Sequence, residues 1–280
     1  MEMKNPVRVS VVLISFGLDT SSSLRLAAEL GFRYVQLRNV QTDLTVEAMT
    51  ADRRKALLED MEGLGLKISS LSGGYGSLFD GRQLEKRIEK QKWLARLTHD
   101  LGCDLLTGHL GQIGNESWKK KRGLVRQLSG WIDFLEKLEV TFAVETGSDH
   151  GELLRDFLDY FDSPFLAANL DPGNFVIYGK ELLSSCAALT DKIVHLHFKD
   201  ARRRPEPEKA PGTLKALELK GEEAAAGDGE VPFRRILPPI LESSALRVAA
   251  VERETGSTRA QDIRLALQAL KGLLEGYPYE

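Results

Sequence analysis

The sequence predicts a (β/α)₈ barrel that forms a single domain, and three observations lead to this prediction. Eight apolar segments rich in β-branched residues alternate with helix-like segments over the 280 residues. Residues 193–200 alternate apolar and polar side chains, so this strand presents His195 and His197 on one face. No Gly-x-Gly-x-x-Gly motif follows the first strand, which disfavours the competing doubly wound sheet.

Strands and helices are expected to alternate along the chain. The predicted strands are 7–13, 34–38, 67–72, 104–109, 141–145, 165–171, 193–200 and 247–252. The predicted helices are 21–31, 47–64, 82–100, 117–139, 152–161, 181–191, 233–244 and 258–275. Serines 21–23 offer N-cap oxygens to the first helix, and Gly65 and Gly102 stand where two others end. Pro238 and Pro239 are expected to interrupt or kink the helix that contains them.

Residues 201–230 break the alternation and are expected to form a loop insertion outside the core. The stretch combines Arg202, Arg203 and Arg204 with prolines and a run rich in Glu, Ala and Gly. These arginines lie where barrels of this kind often bind phosphate, but a solvated charge run is the favoured interpretation. The insertion is expected to serve as an active-site lid or as a subunit contact.

Composition limits the classes of function. A formal net charge of −3 gives no reason to expect a nucleic acid partner. The two cysteines, Cys103 and Cys186, lack the spacing of metal ligands and favour a reducing compartment. The first residues lack the apolar core of a signal peptide, and no apolar run approaches about 18 residues. We therefore expect a cytoplasmic protein without a membrane segment.

Four strand ends carry residues that bind metals. Glu145, Asp171, His197 and Glu252 stand at the ends of the fifth to eighth predicted strands, separated by 26, 26 and 55 residues. The first two intervals each equal about one βα unit, so these side chains are expected at equal heights on the barrel mouth. Carboxylates brought together there repel one another, and a divalent cation removes that repulsion. The pattern predicts a metal site.

Five motifs occur in an order that resembles a known family. They are Val144-Glu145-Thr146-Gly147, Leu170-Asp171-Pro172-Gly173-Asn174, His195-Leu196-His197-Phe198-Lys199-Asp200, Gly227-Asp228-Gly229-Glu230-Val231-Pro232-Phe233 and Val251-Glu252-Arg253-Glu254. The ordered set resembles the xylose isomerase-like TIM-barrel superfamily of sugar phosphate isomerases and epimerases, over nearly the whole chain. The resemblance implies that Glu145, Asp171, His197 and Glu252 bind one divalent ion.

Two positions bear on that resemblance. Ketose 3-epimerases and the endonuclease IV branch have a histidine three residues after the aspartate of the sixth strand, where this chain has Asn174. This difference argues against a polynuclear zinc site and against ketose 3-epimerase activity. Glu254 shares a strand face with Glu252 and stays open as the alternative ligand, although Glu252 directly follows the apolar strand.

The ligand types suggest a mechanism. Three carboxylates and one imidazole suit Mn²⁺, Mg²⁺, Co²⁺ or Zn²⁺. The ion would chelate a carbonyl and a neighbouring hydroxyl and stabilise an enediolate, while Glu145 and Glu252 remove and return the proton. We expect an isomerase or epimerase of carbohydrate metabolism that acts on a small ketose, aldose or related polyol ketone. The alternative is a dehydratase or lyase of a keto-inositol or keto-sugar; a non-catalytic sugar-binding barrel and an endonuclease IV-like repair enzyme rank below both.

Other polar residues are expected near the mouth. Candidate substrate contacts are His109, Lys199, Arg203 and Glu254, and candidate supports of the metal ligands are His195 and Asn174. For His109, a structural hydrogen bond stays equally open. For Lys199 and Asp200, a contact with substrate and an internal ion pair are equally open. Gln36 and Arg38 share a face of the second strand that reaches towards the pocket. The expected partner is a small carbohydrate. Neither a nucleic acid nor a membrane is expected as a partner, and the formation of a homo-oligomer stays open.

Overall fold

Eight parallel strands close into a barrel in the computed structural model, which describes residues 5–39, 44–45, 48–79, 81, 83–209 and 218–280. In chain order the strands are β1 (Arg8–Val12), β2 (Tyr34–Arg38), β3 (Lys67–Ser72), β4 (Leu105–Gly108), β5 (Thr141–Glu145), β6 (Leu166–Leu170), β7 (Ile193–Phe198), β8 (Asp200–Lys209), β9 (Glu218–Ala224) and β10 (Val248–Val251). The barrel order is β1-β10-β7-β6-β5-β4-β3-β2, whereas β8 and β9 pair only with each other. The predicted (β/α)₈ barrel is confirmed.

Helices follow the barrel strands and cover their outer faces. They are α1 (Thr20–Glu29), α2 (Ala51–Gly63), α3 (Leu84–Asp100), α4 (Arg122–Lys137), α5 (Gly151–Phe161), α6 (Pro172–Ile177), α7 (Leu182–Leu189), α8 (Phe233–Glu242) and α9 (Arg259–Leu273). The helix predicted at 117–139 is divided into a 3₁₀ turn, Glu116–Lys120, and α4. The predicted helix starts at 47 and 82 lie outside the described residues.

Two local features depart from the sequence-based expectation. Helix α6 was not predicted; it begins directly after β6 because Asp171 caps its first turn and Pro172 occupies a position where no N–H is needed. Helix α8 continues through Pro238 and Pro239. The carbonyl groups four residues earlier belong to exposed residues 234 and 235, so solvent replaces the missing hydrogen bonds.

The barrel interior is polar at several levels, although both faces of its strands are buried. Ser10 Oγ lies 2.7 Å from Ser69 Oγ, and the amide of Gln36 donates to Thr107 Oγ1 at 3.1 Å. These bonds join strands that are not neighbours, so they cross the interior. The outward side chains, such as Val11 and Leu37, pack against the helices in the main core cluster. Polar groups inside the barrel thus pair with one another instead of facing hydrocarbon.

Two further observations concern the burial of the cysteines and the hydrophobicity of the helices. Cys103 and Cys186 are both free thiols in the interior, and burial raises their pKa values to about 11 and about 12. No helix among the described residues combines the length and the hydrophobicity that crossing a membrane requires.

The insertion after β7 contains an antiparallel hairpin, which corrects the expectation of irregular structure there. Asp200 pairs with Ala224 and Arg202 with Glu222, with an irregularity between Arg203 and Glu208. Cross-strand ion pairs explain why so charged a sequence forms strands: Arg202 and Arg204 both contact the Glu222 carboxylate. Residues 210–217, between the two strands, lie outside the described part of the chain.

Asp200 fastens the open end of this hairpin to the barrel. Its buried carboxylate accepts hydrogen bonds from the N–H groups of Ala201 (2.8 Å), Gly227 (2.9 Å), Gly229 (3.0 Å) and Val231 (3.1 Å). A side chain at Gly229 would collide with this carboxylate, since an added Cβ would lie 2.0 Å from Oδ1. Asp200 therefore binds backbone N–H groups instead of forming the ion pair or substrate contact considered for it. We call these four hydrogen bonds the Asp200 clasp.

Removing this clasp is expected to destabilise the protein. Asp200→Ala leaves several backbone N–H groups without their charged acceptor, so the free energy of unfolding should fall by about 3 kcal/mol. Urea unfolding followed by circular dichroism measures the change. Asp228→Ala, at an exposed position of the same turn, serves as control and should change stability by less than about 0.5 kcal/mol. Equal effects of the two substitutions would contradict the clasp.

Candidate metal centre

Four potential ligands converge at the carboxyl end of the barrel. Glu145 ends β5, Asp171 follows β6, His197 lies in β7 and Glu252 follows β10. One ligand atom from each residue lies within 4.8 Å of the corresponding atoms of the other three. All four side chains are largely withdrawn from solvent. The structure brings together the four residues that the sequence singled out, and Glu252 instead of Glu254 belongs to the group.

The imidazole of His197 presents Nδ1 to the carboxylates. Nδ1 lies 3.0 Å from Glu252 Oε2 and 3.7 Å from both Glu145 Oε1 and Asp171 Oδ2. On the other side of the ring, Nε2 lies 3.2 Å from Gln36 Oε1, and the Gln36 amide group donates to Thr107. Since that amide group is committed as a donor, Oε1 accepts from Nε2–H. When the ring is neutral, this bond keeps the proton on Nε2 and leaves the Nδ1 lone pair for a metal ion.

His195 lies two residues before His197 on the same inward face of β7 and contacts residues around the candidate ligands. Its Nδ1 lies 2.8 Å from Asn169 Oδ1, and its Nε2 lies 3.2 Å from Ser70 Oγ. Burial lowers the pKa of His195 well below its usual value, so the ring is neutral. The Asn169 amide nitrogen lies 3.4 Å from His197 Nδ1. His195 thus acts on His197 through Asn169.

Asp171 is fixed by the start of α6. Its Oδ1 accepts the N–H of Asn174 at 2.9 Å, which leaves Oδ2 facing His197. The Asn174 side chain donates to Glu145 Oε1 at 3.2 Å and so links the carboxylates that follow β5 and β6. The Asp-Pro-Gly-Asn sequence thereby orients two candidate ligands, and Asn174 takes the supporting place expected for it.

Lys199 enters the same cluster from β7. Its buried Nζ lies 3.1 Å from Asp171 Oδ2, 3.5 Å from Glu252 Oε2 and 3.7 Å from Glu254 Oε2. Burial by itself would lower the pKa of Lys199, but these carboxylates outweigh it and hold the pKa well above the usual value. An added Cβ at Gly173 would lie 2.9 Å from the lysine side chain, so only glycine fits beneath it. Lys199 is a fixed ammonium group.

The charges of the mouth balance when one divalent cation is added. Glu145, Asp171, Glu252 and Glu254 oppose the two side-chain cations Lys199 and Arg38, which leaves a formal charge of −2 with neutral histidines. Without a cation, burial raises the pKa of Glu252 to about 7. Burial alone would lower the pKa of His197, but the surrounding carboxylates raise it to about 10. The cluster lacks positive charge, and its donor set fits a divalent ion.

The remaining predicted residues lie at different distances from this cluster. His109 is 45% exposed at the mouth, with Nε2 3.3 Å from Glu145 Oε1. Glu254 forms an ion pair with Arg38 at the edge of the pocket. Arg203 lies on the hairpin, 75% exposed, and pairs with Glu230 at 3.7 Å. Arg203 thus forms a solvent-exposed ion pair, and no contact described for it reaches the four candidate ligands.

Three supporting contacts were not expected from the sequence. Asn169 lies two residues before Asp171 on the inner face of β6, just as His195 lies two residues before His197 on β7. This period-2 relation identifies Asn169 as an inward residue, but its partners belong to other strands. Ser70 and Thr107 are also inward strand residues, and their contacts with His195 and Gln36 required the closed barrel.

The chain matches a family model and several curated proteins. The model described as "Xylose isomerase-like TIM barrel" matches residues 24–273. An inosose dehydratase of Lactiplantibacillus plantarum is 29% identical over 112 residues, which are 36% of this chain and 37% of the relative. An inosose dehydratase of Lacticaseibacillus casei is 32% identical over 105 residues, 37% of this chain and 35% of the relative. The matched parts span just over a third of the length of these relatives.

Solved structures resemble the whole chain. The probable 3-DHS dehydratase AsbF of Bacillus anthracis has a TM-score of 0.72 and 20% identity, with 95% of this chain and 99% of that chain covered. D-Psicose 3-epimerase of Clostridium cellulolyticum H10 has a TM-score of 0.72 and 13% identity, covering 96% and 99%. A xylose isomerase-like TIM barrel protein of Mycobacterium smegmatis in complex with magnesium has a TM-score of 0.71 and 17% identity, covering 96% and 97%. At these identities the likeness shows a shared fold.

Metal content gives the first test of the centre. The purified protein, loaded with Mn²⁺, Co²⁺ or Zn²⁺ and dialysed, is expected to hold about one ion per chain. Glu145→Gln and His197→Ala each remove one ligand and should lose most of that metal, measured by inductively coupled plasma mass spectrometry. Glu152→Gln and His99→Ala, at exposed positions, are the matched controls. Equal metal content in all five proteins would exclude this site.

The support of His197 by Gln36 gives a second test. Gln36→Leu removes the acceptor that holds Nε2–H, so the ring can turn or adopt the other tautomer. We expect metal affinity to fall by about 10- to 100-fold, measured by isothermal titration calorimetry on metal-free protein. Thr107→Val acts one contact farther from the ring and should weaken binding less. An unchanged affinity in Gln36→Leu would contradict the orienting role.

Proposed function

The chain belongs to the xylose isomerase-like TIM barrel family, and from this premise we propose that it is a divalent-metal-dependent enzyme acting on a small polyhydroxy ketone. The first reaction we propose is dehydration of a keto-inositol or keto-sugar. The observation that carries the proposal is the meeting of three carboxylates, a tautomer-fixed imidazole and a buried ammonium group at one point of the mouth. Enzyme relatives of both the dehydratase and the epimerase kind share this fold.

Glu145, Asp171, His197 and Glu252 would hold the ion. When bound, the ion would polarise a carbonyl and a neighbouring hydroxyl and so acidify the hydrogen on the carbon beside the carbonyl. Mn²⁺, Mg²⁺, Co²⁺ and Zn²⁺ all suit oxygen ligands with one imidazole, so the donor set alone leaves the ion unassigned.

The protein's own residues then move the proton. Glu145 is oriented by His109 and Asn174, and Glu252 follows β10, which lies on the other side of β7 in the barrel order. Either carboxylate, through the oxygen that does not face the ion, is suited to take the proton from carbon. The exposed position of His109 beside Glu145 also makes it a contact for a substrate hydroxyl. Arg38 and Glu254 form the polar edge of the pocket.

Lys199 favours dehydration as the outcome. Loss of a hydroxyl group from the carbon beyond the abstracted proton breaks a C–O bond, and the departing oxygen needs a proton to leave as water. The fixed ammonium of Lys199 supplies positive charge that stabilises the departing oxygen, and the glutamate that took the proton from carbon passes it to that oxygen. The identification of curated relatives as inosose dehydratases supports the same order. We therefore place dehydration ahead of the isomerisation and epimerisation that the sequence alone ranked first.

Isomerisation or epimerisation of a small ketose or aldose is the second candidate. It is supported by two glutamates that come from strands on either side of β7, since one can remove the proton and the other return it to the opposite face. The fold shared with D-psicose 3-epimerase is compatible with this reaction. Asn174, in place of the histidine expected in ketose 3-epimerases, weighs against that particular branch.

Product analysis separates the two candidates. The metal-loaded protein is incubated in deuterated water with keto-inositols and with common ketoses and aldoses, and the products are examined by mass spectrometry and NMR. Dehydration yields a product that has lost one water, whereas epimerisation yields an isomer with deuterium at the carbon beside the carbonyl. We expect the loss of water from a keto-inositol. Isomers alone would support the second candidate, and no reaction with any substrate would contradict both.

A lysine variant sharpens the same experiment. Lys199→Met should lower the rate of water loss by about 10²-fold or more, while deuterium uptake at carbon continues, because proton removal belongs to the glutamates. Lys192→Met removes a lysine that pairs with Asp159 before the start of β7 and should leave both rates unchanged. Equal loss of deuterium uptake and dehydration in Lys199→Met would show that the lysine does not act on the leaving group.

A further inference from the structure

Glu223, in the hairpin, points towards the barrel instead of into solvent. It is the second-last residue of β9, and only 4% of its side chain is exposed. Its two carboxylate oxygens accept the backbone N–H of Glu254 at 2.9 Å and 3.1 Å, and Oε1 also accepts from the Arg253 guanidinium at 2.9 Å. A buried carboxylate from the insertion therefore holds the chain that leaves β10.

The same turn is anchored from two other directions. The N–H of Arg253 donates to Ser15 Oγ at 3.0 Å, and its guanidinium donates to Asp262 Oδ2 of α9 at 2.9 Å. These bonds fix Arg253, but neither of them reaches Glu254. The two hydrogen bonds described for the Glu254 backbone N–H both go to the Glu223 carboxylate. The carbonyl oxygen of Glu254 accepts from Arg259 at 3.2 Å, so the hairpin holds the N–H side of this residue.

The side chain of Glu254 connects this turn to the centre of the site. Its side chain pairs with Arg38 of β2 and lies 3.7 Å from Lys199 Nζ. Lys199 in turn lies between Asp171 and Glu252. A displaced Glu254 carboxylate would release Arg38 and remove one of the three carboxylates that hold the lysine ammonium in place.

The hairpin itself is rigid enough to serve as this support. Asp200 clasps its open end through four backbone N–H groups. Gly221 presses against α6, where an added Cβ would lie 2.9 Å from the carbonyl oxygen of Val176. The hairpin is therefore wedged between the helix that follows Asp171 and the turn that follows Glu252.

We propose that Glu223 is a positioning residue of the active site, which sets Glu254 and, through it, the ammonium of Lys199. The insertion is then a part of the pocket and not a peripheral addition to the barrel. The placement of Glu254 rests on geometry alone, while its effect on turnover rests on the proposed function. The two parts call for separate measurements.

Hydrogen exchange tests the placement without any substrate. In Glu223→Gln, amides in peptides covering residues 252–257 should exchange about tenfold faster than in the wild type, because the charged acceptor of the Glu254 N–H is lost. Glu222→Gln is the matched control: it changes the adjacent residue of the same strand, which pairs outward with Arg202 and Arg204. Exchange in 252–257 that is equal in both variants would overturn the proposal.

Steady-state kinetics and a double-mutant cycle test the catalytic part. With about one metal ion retained per chain, kcat/KM should fall about tenfold in Glu223→Gln and less than about twofold in Glu222→Gln. Glu223→Gln/Glu254→Gln should match Glu254→Gln alone, since Glu223 acts through Glu254. Independent effects that multiply in the double variant, or an unchanged kcat/KM in Glu223→Gln, would make Glu223 merely structural. Faster exchange in Glu223→Gln, together with a wild type that turns over no substrate, would refute the proposed function while supporting the placement of Glu254.

Discussion

Electrostatic repulsion between carboxylates is the constraint on which the rest of the mouth depends. Parallel strands end at one rim, so residues at equal positions of successive βα units meet whether or not their charges agree. At an effective dielectric constant of 20, two like charges 4 Å apart cost about 4 kcal/mol. Three carboxylates meet here within 4.8 Å of a histidine nitrogen. Such a rim is stable only if cations and N–H groups are supplied to it.

The surrounding elements supply them. Helix α6 begins immediately after β6 and directs the N–H of Asn174 at Asp171, and the Asn174 side-chain amide reaches Glu145. Lys199 brings an ammonium into a space that Gly173 leaves open. The remaining deficit of positive charge suits a divalent ion. The hairpin then serves the same electrostatic end, because it determines where Glu254 lies relative to Lys199 and Arg38.

The sequence was most informative where a regular period connects residues to positions. Alternation in β7 and the interval of one βα unit were enough to bring Glu145, Asp171 and His197 together. The support of His197 by Gln36 joins residues 161 positions apart across the barrel interior, and no local pattern encodes such a contact. The hairpin was missed because its strands carry charge instead of alternating hydrophobicity. Glu222 points outward and Glu223 inward, a distinction that has meaning only once 218–224 is known to be a strand.

The surroundings of the two glutamates bear on which reaction follows proton removal. Epimerisation requires one carboxylate to remove a proton and the other to return it, and a reversible exchange is easiest when the two have similar surroundings. Here both glutamates lie near His197, but Glu145 also contacts His109 and the Asn174 amide, whereas Glu252 contacts the Lys199 ammonium. The Lys199 ammonium on one side of the mouth suits a reaction in which one group takes a proton from carbon and a fixed positive charge stabilises a departing oxygen. The asymmetry of the mouth therefore favours elimination over inversion, independently of the names of the relatives.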